Sequence, residues 1–151
     1  MQRWFVKFAS GSIGVGNQLL HYQYQDHSRC PLCDADNEKV SHVLSCKDPG
    51  AVRHSVTAFT GPLQKRLEVE QTDPSLVVAI VDLLTRVRKG QNIYPSSYSL
   101  AIASAVRAQR TIGWHNWFLG RWSPRWYQIQ ADYYSHIGSK RSPKRWATAI
   151  I

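Results

Sequence analysis

Three cysteines and one histidine lie close together in this 151-residue chain, in two pairs with short spacings. Cys30 and Cys33 flank a Pro-Leu dipeptide, and His42 and Cys46 follow with three residues between them. No other cysteine occurs in the chain. Thiolate and imidazole are zinc ligands, and a short loop between two ligands lets one turn supply both. The spacing predicts one tetrahedral zinc site, which restricts how residues 28–47 can fold.

The four side chains fill every position of a tetrahedral ion, so none remains for a reactive water. We therefore expect a structural zinc. A zinc deaminase is excluded because the His-x-Glu partner of its Pro-Cys-x-x-Cys motif is missing. Two alternatives stay open for the thiols: a redox dithiol at Cys30 and Cys33, and buried cysteines without a ligand. His27 and His54 flank the cluster and are alternatives to His42 as the fourth ligand.

Three carboxylates lie between the two ligand pairs. We interpret Glu38 as a charge at a helix N-terminus. Asp34 and Asp36 are interpreted as solvated side chains of a polar turn. None of the three is assigned a catalytic role, and we predict that the chain is not an enzyme.

Helix starts are marked by an acceptor side chain followed by proline, which caps free N–H groups and sets the first helical φ angle. After the second such pair, apolar residues recur every three or four positions up to Gly90, which predicts the most regular helix. We also predict helices over residues 98–119 and about 50–59, and shorter ones after Ser123 and Ser142. The four pairs are Asp48-Pro49, Asp73-Pro74, Ser123-Pro124 and Ser142-Pro143.

Alternating strand patterns are scarce, so the predicted fold class is mainly α: a helical domain with a small CCHC zinc-stabilised turn or hairpin unit. Residues 38–46 are expected to form a helical turn that projects His42 and Cys46 from one face, and residues 90–99 a loop. No stretch approaches the roughly 20 apolar residues that cross a bilayer. With no secretory signal evident, we expect an intracellular protein of the nucleus or cytoplasm, with reduced thiols.

The excess of positive over negative charge is confined to one half of the sequence. Residues 1–73 hold eight Lys/Arg and eight Asp/Glu, whereas residues 74–151 hold eleven and two, which accounts for the whole net charge of +9. We therefore distinguish a charge-neutral part, residues 1–73, with a helical lead-in and the zinc unit, from a basic, aromatic-rich helical part, residues 74–151. An apolar helical pattern still runs at Ile151, from which we expect a C-terminal truncation.

The basic half suits a polyanion whose bases can stack, because five of the six tryptophans lie there as well. For these aromatic residues burial in the core is the more common role, and Trp114, Trp117, Trp126, Tyr133 and Ile137 have helical spacing. The Lys and Arg side chains of residues 74–151 have only two acidic residues in the same half to pair with. The predicted nucleic-acid-binding residues are Arg107, Arg110, Arg121, Arg125, Arg141, Lys144 and Arg145.

Several of these residues together resemble a known family. The Cys30, Cys33, Glu38, His42 and Cys46 pattern, with a short Gly-rich lead-in, resembles the zinc-binding region downstream of the reverse transcriptase in LINE-type (non-LTR) retrotransposon polyproteins. A later string is similar to the tail of divergent members; it comprises Ile112-Gly113-Trp114, Phe118-Leu119-Gly120-Arg121, Ser123, Trp126, Gln130, Tyr133-Tyr134 and Trp146.

The resemblance implies that the two cysteine and histidine pairs are zinc ligands and that the region helps to hold template or target nucleic acid. No polymerase, endonuclease or RNase H motif is present, so no catalytic activity is implied. We expect a non-catalytic, zinc-binding segment that binds RNA or DNA with little sequence specificity. The alternatives are a zinc-stapled structural or interaction module with an acidic partner and, with less support, a thiol redox protein.

Overall fold

The computed structural model describes residues 13–150, with side chains through residue 146. Residues 1–12, which open the predicted lead-in, and Ile151 lie outside the described residues. Within the described part there are helices, turns and loops but no strand, which confirms the mainly α fold class. In chain order the helices are α1 (Gly16–His21), α2 (Val40–Ser45), α3 (Pro49–Val69), α4 (Pro74–Arg88), a 3₁₀ helix (Pro95–Ser97), α5 (Leu100–Ile112), α6 (Trp114–Phe118), α7 (Pro124–His136) and α8 (Pro143–Ile150).

All four acceptor-proline pairs begin a helix, as predicted: α3, α4, α7 and α8 each start at the proline of a pair. The Asp48 carboxylate accepts the Ala51 N–H at 2.7 Å, and the Asp73 carboxylate accepts the Ser75 N–H at 2.7 Å. Ser123 caps α7 in the same way. These three acceptors each pair with a backbone donor that the first helical turn leaves without a partner.

The helix predicted over residues 98–119 is in fact two helices. α5 ends at Ile112 and α6 begins at Trp114, because Gly113 between them adopts a φ of 97°. A helix cannot continue through this left-handed region, which favours glycine. The sequence prediction was wrong here because it treated the aromatic residues after Gly113 as a continuation of one apolar face.

The helix predicted over about 50–59 extends much further. α3 continues to Val69 through an internal Pro62, which removes one backbone donor from the helix. The continuation is supported by packing, because Leu67 is fully buried and Leu63 packs against the core. The predicted loop over residues 90–99 contains the short 3₁₀ helix Pro95–Ser97.

The chain divides into two compact units, Met1–His54 and Ser55–Ile151. The division falls within α3. The change in net charge at residues 73 and 74 is a property of composition and is separate from this division. No helix within residues 13–150 combines the length and the hydropathy needed to span a lipid bilayer.

The second unit is built around tryptophan side chains. Trp117, Trp126 and Trp146 have exposed fractions of only 4%, 0% and 1%. The ring centroids of Trp117 and Trp126 lie 4.8 Å apart in an edge-to-face arrangement, which the quadrupoles of the two rings favour. These residues therefore form the core, as the usual burial of large aromatics predicts. Ile137, which we also expected in the core, is 44% exposed.

Inside this core, the fully buried Gln109 uses both ends of its amide. Its Oε1 accepts the Ser123 backbone N–H at 2.9 Å and the Trp126 indole N–H at 3.3 Å. Its Nε2 donates to the Arg121 carbonyl at 3.2 Å. The amide thus joins α5 to the start of α7 and pairs polar groups that would otherwise be buried alone.

The turn between α3 and α4 is held by side chains from the last two helices. Gln130 Oε1 accepts the Asp73 N–H at 3.0 Å, and the Trp146 indole N–H donates to Thr72 Oγ1 at 2.7 Å. The start of α4 is thereby fixed by residues far along the chain.

Replacing Gln109 by Met should destabilise the second unit by about 1–3 kcal/mol. The substitution keeps the volume but leaves two buried N–H donors, those of Ser123 and Trp126, without an acceptor. The free energy of unfolding is measured by urea titration, and Gln128→Met, on the exposed face of α7, is the matched control. Equal stability of the two variants would contradict the role of the buried amide.

Candidate metal centre and the predicted basic residues

The first ligand pair is carried by a tight backbone turn. The Cys30 N–H donates to the Ala35 carbonyl at 2.9 Å, and the Asp34 N–H donates to the Cys30 carbonyl at 3.0 Å. Asp34 and Asn37 both adopt left-handed φ angles, 55° and 56°, which Asp and Asn tolerate better than most residues. The Cys-Pro-Leu-Cys segment therefore forms a turn and not a hairpin.

The second ligand pair comes from α2. His42 lies within this helix, and Cys46 is the residue that ends it. The Cys46 N–H donates to the His42 carbonyl at 2.6 Å, which is the i, i+4 bond of a helical turn. The two side chains therefore project from one face, as predicted.

Glu38 connects the two pairs to α1. Its backbone N–H donates to the Ser28 carbonyl at 2.7 Å, which places Glu38, two residues before α2, beside Ser28, two residues before Cys30. Its carboxylate accepts the N–H of Gly16, the first residue of α1, at 2.7 Å. Glu38 is therefore a charge at a helix N-terminus, as predicted, but the helix is α1 and not α2, which follows Glu38 in sequence.

Gly16 lies directly against the backbone of Ser28 and Arg29, the two residues that precede Cys30. A Cβ at this position would lie 2.4 Å from the Ser28 carbonyl oxygen and 2.9 Å from that of Arg29. Real Cβ atoms do not approach backbone so closely, so only glycine fits while this segment keeps its place.

These contacts bring four ligand atoms to one point. The Sγ atoms of Cys30, Cys33 and Cys46 and an imidazole nitrogen of His42 all lie within 4.8 Å of one another. The Cys30 and Cys46 sulfurs are 3.9 Å apart, and the Cys33 sulfur is 3.2 Å from His42 Nε2. Neighbouring ligands on a tetrahedral zinc are about 3.5–3.8 Å apart. The cluster could therefore hold a metal ion.

Burial and backbone donors act in opposite directions on the thiols. Burial raises the pKa of the Cys30 thiol to about 11, although the N–H groups of Leu32 and Cys33 donate to its sulfur. The Ala35 N–H lowers the pKa of the more accessible Cys33 thiol. A buried thiolate at Cys30 calls for a nearby cation, which a bound metal supplies.

The alternative ligands and the nearby acids do not join the cluster. His27 and His54 are exposed, and neither belongs to the group of ligand atoms that meet. Asp34 and Asp36 are paired with Arg29 at 3.7 Å and 3.5 Å, on side chains that are 80% and 89% exposed. The two aspartates are thus solvated, as expected, and the three cysteines are free thiols.

All seven predicted nucleic-acid-binding cations are exposed. Arg107 and Arg110 lie on α5, and Arg121 lies between α6 and α7, where its guanidinium donates to Asn116 at 3.2 Å. Arg141 precedes α8 and pairs with Glu70 at 3.2 Å. The remaining three lie in the first turns of helices: Arg125 in α7, and Lys144 and Arg145 in α8.

Sequence reasoning missed Gly16 and the partner of Glu38. Both residues act through a contact across 22 positions, and no spacing rule predicts such a contact. The available signal was weak: a lone carboxylate just before α2, and a glycine at the start of a short helix.

Comparison with protein-family models, with curated proteins and with solved structures gives no match to this chain.

Gly16→Ala should weaken metal binding by about 10–100-fold, because the added Cβ must displace the backbone that leads into Cys30. The affinity is measured with Co²⁺, whose thiolate complexes absorb visible light. Gly14→Ala is the matched control, since among the described residues its Cβ would meet only the Leu19 side chain, at 3.4 Å. Equal affinities for the two variants would show that this close contact does not position the ligands.

Proposed function

We propose that the chain is a zinc-stabilised module that binds nucleic acid through the seven predicted cations of its second unit and catalyses no reaction. The observation that carries the proposal is that all seven cations chosen from the sequence are exposed, in a half that holds eleven cations and two carboxylates. So large an excess is not neutralised by carboxylates of the same half. It favours an external polyanion.

Zinc is proposed as the metal because three thiolates and one imidazole in tetrahedral reach are a typical structural zinc set. A structural role is supported by how little else is buried nearby. Between residues 13 and 54, the buried apolar side chains are Val15, Cys30 and Cys46. A segment with so few buried apolar side chains depends on a metal for its folding.

Contacts to phosphate, and not stacking on bases, are the proposed mode of binding. Trp117, Trp122, Trp126 and Trp146 are buried and present almost no ring face to a ligand. Phosphate contacts carry no sequence information, so binding should be strongly salt-dependent and nearly independent of sequence.

The proposed lineage is a reverse transcriptase protein of the LINE type, and the proposed location is intracellular. The lineage rests on the Cys/His pattern and the aromatic string alone. A polymerase carboxylate motif in the neighbouring reading frame would support it, and its absence there would count against it.

The chain should bind one zinc ion, and Cys33→Ser or His42→Ala should abolish this binding. Native mass spectrometry of the full chain measures the stoichiometry. Removing the metal with a chelator should unfold α1 and α2 while α4, α5 and α7 keep their protection, because the second unit has its own aromatic core. Amide hydrogen exchange measures this difference.

His27→Ala is the control for the ligand set, because His27 lies outside the cluster, and this variant should keep the zinc. A chain that binds no zinc would overturn the metal assignment. Unchanged exchange in α1 and α2 after metal removal would overturn the structural role.

The full chain should bind single-stranded RNA and DNA at low salt. The triple variant Arg107→Ala, Arg121→Ala and Arg125→Ala should reduce the slope of log K against log salt concentration by about 2, if each side chain contacts one phosphate. Fluorescence anisotropy across a salt series measures the slope.

The charge-matched control is Lys39→Ala, Lys65→Ala and Lys89→Ala, three exposed lysines outside the predicted set. A wild-type chain that fails to bind either nucleic acid at low salt would overturn the proposal. Tighter binding to polyglutamate of equal charge would assign the surface to an acidic protein partner instead.

A further inference from the structure

The second unit contains an open cleft of 740 Å³, which we call the C-terminal cleft. It is lined by Glu70 near the end of α3, Tyr134 of α7, residues 140–142, and Arg145 and Trp146 of α8. Its volume falls within the range of about 300–1,000 Å³ that is usual for ligand sites.

The charges around the C-terminal cleft are strongly unequal. Lys140, Arg141 and Arg145 line it together with a single carboxylate, Glu70. That carboxylate is already shared, since it pairs with Arg66 at 3.2 Å and with Arg141 at 3.2 Å. In the part of the chain that the structure describes, Lys140 and Arg145 form no ion pair. The cleft therefore carries positive charge that its own carboxylate does not balance.

Arg141 is held in place at the edge of the cleft. Besides the Glu70 carboxylate, its guanidinium contacts the Val69 carbonyl at 3.2 Å. A guanidinium fixed in this way loses less conformational entropy when an anion binds beside it.

The aromatic residues of the cleft cannot serve as a stacking surface. Tyr134 and Trp146 are 2% and 1% exposed. Their polar atoms are already used, because the Tyr134 hydroxyl donates to the Glu70 carbonyl at 2.6 Å and the Trp146 indole donates to Thr72. What the cleft offers a ligand is cationic groups, not a ring face.

The start of α8 adds to this positive field. Ser142, the residue before the helix, and Arg145, in its first turn, both line the cleft. The positive end of the helix dipole therefore lies at the same place as the cations.

We propose that the C-terminal cleft binds a backbone phosphate of single-stranded nucleic acid, with Lys140 and Arg145 contacting its oxygens beside the fixed Arg141. This inference rests on the proposed function and adds the position at which the strand is held. Because no ring face is offered, the cleft should bind the phosphate whatever the attached base.

The test compares the full-length double variant Lys140→Gln and Arg145→Gln with the wild type and with the charge-matched control Lys65→Gln and Lys89→Gln. Binding of a single-stranded uridine oligonucleotide is measured from 50 to 200 mM salt. If both side chains contact phosphate, the salt slope of the cleft variant should fall by about 1.4. Over this range its affinity should then decrease about sevenfold less than that of the wild type, while the control keeps the wild-type slope.

A second measurement does not depend on nucleic-acid binding. Inorganic phosphate is titrated into the ¹⁵N-labelled chain at constant ionic strength, with chloride as the reference anion. The amide signals of residues 140–142 and 144–146 should shift with phosphate, and less so in the cleft variant.

The outcomes separate the two proposals. Oligonucleotide binding with an unchanged slope in the cleft variant would overturn the cleft assignment and leave the proposed function in place. If the wild type binds no oligonucleotide, the proposed function fails, and the cleft is not a nucleic-acid site. Phosphate shifts at residues 140–142 and 144–146 would then assign the cleft to a free phosphate group, whereas stronger shifts with acetate would point to a carboxylate partner.

Discussion

The first unit is organised by four ligand atoms that meet within 4.8 Å. Two of them come from a turn and two from a single short helix, and neither element has enough apolar surface to be stable alone. Glu38 joins both elements to α1 through its backbone and its carboxylate. The close approach of Gly16 to Ser28 completes the arrangement. Between residues 13 and 54 few apolar side chains are buried, so a metal at this point would add cross-links that a larger hydrophobic core makes unnecessary.

The second unit is stabilised in a different way, and this affects how it could bind a partner. Large aromatic residues each bury about 150–250 Å², so a few tryptophans supply much of the driving force for folding. Trp117, Trp126 and Trp146 are therefore buried. The arginines and lysines between them in sequence are exposed to solvent. Cations that surround buried tryptophans suit phosphate better than bases.

Predictions from the sequence succeeded where the determining interactions are local. The Cys-x2-Cys turn, the His-x3-Cys helical turn and the acceptor-proline helix starts each depend on residues within four positions of one another, so their geometry follows from spacing. The same reasoning was wrong across Gly113, where one backbone angle of 97° divides a continuous apolar pattern into two helices. It also ended α3 too early, because the burial of Leu67 supports a helix that Gly61 and Pro62 disfavour.

The sequence alone determined the mainly α fold class, the residues that could hold a metal, and the confinement of excess charge to one half. Only the tertiary structure decided which aromatic residues are buried and how Glu38 serves α1. It also decided that Glu70, Arg141 and Arg145 surround one cleft. The contacts of Glu38 with Gly16 and of Arg141 with Glu70 join residues that are 22 and 71 positions apart. Such contacts arise from the packing of whole helices and the pairing of buried polar groups. Neither can be predicted from a local pattern of residue types.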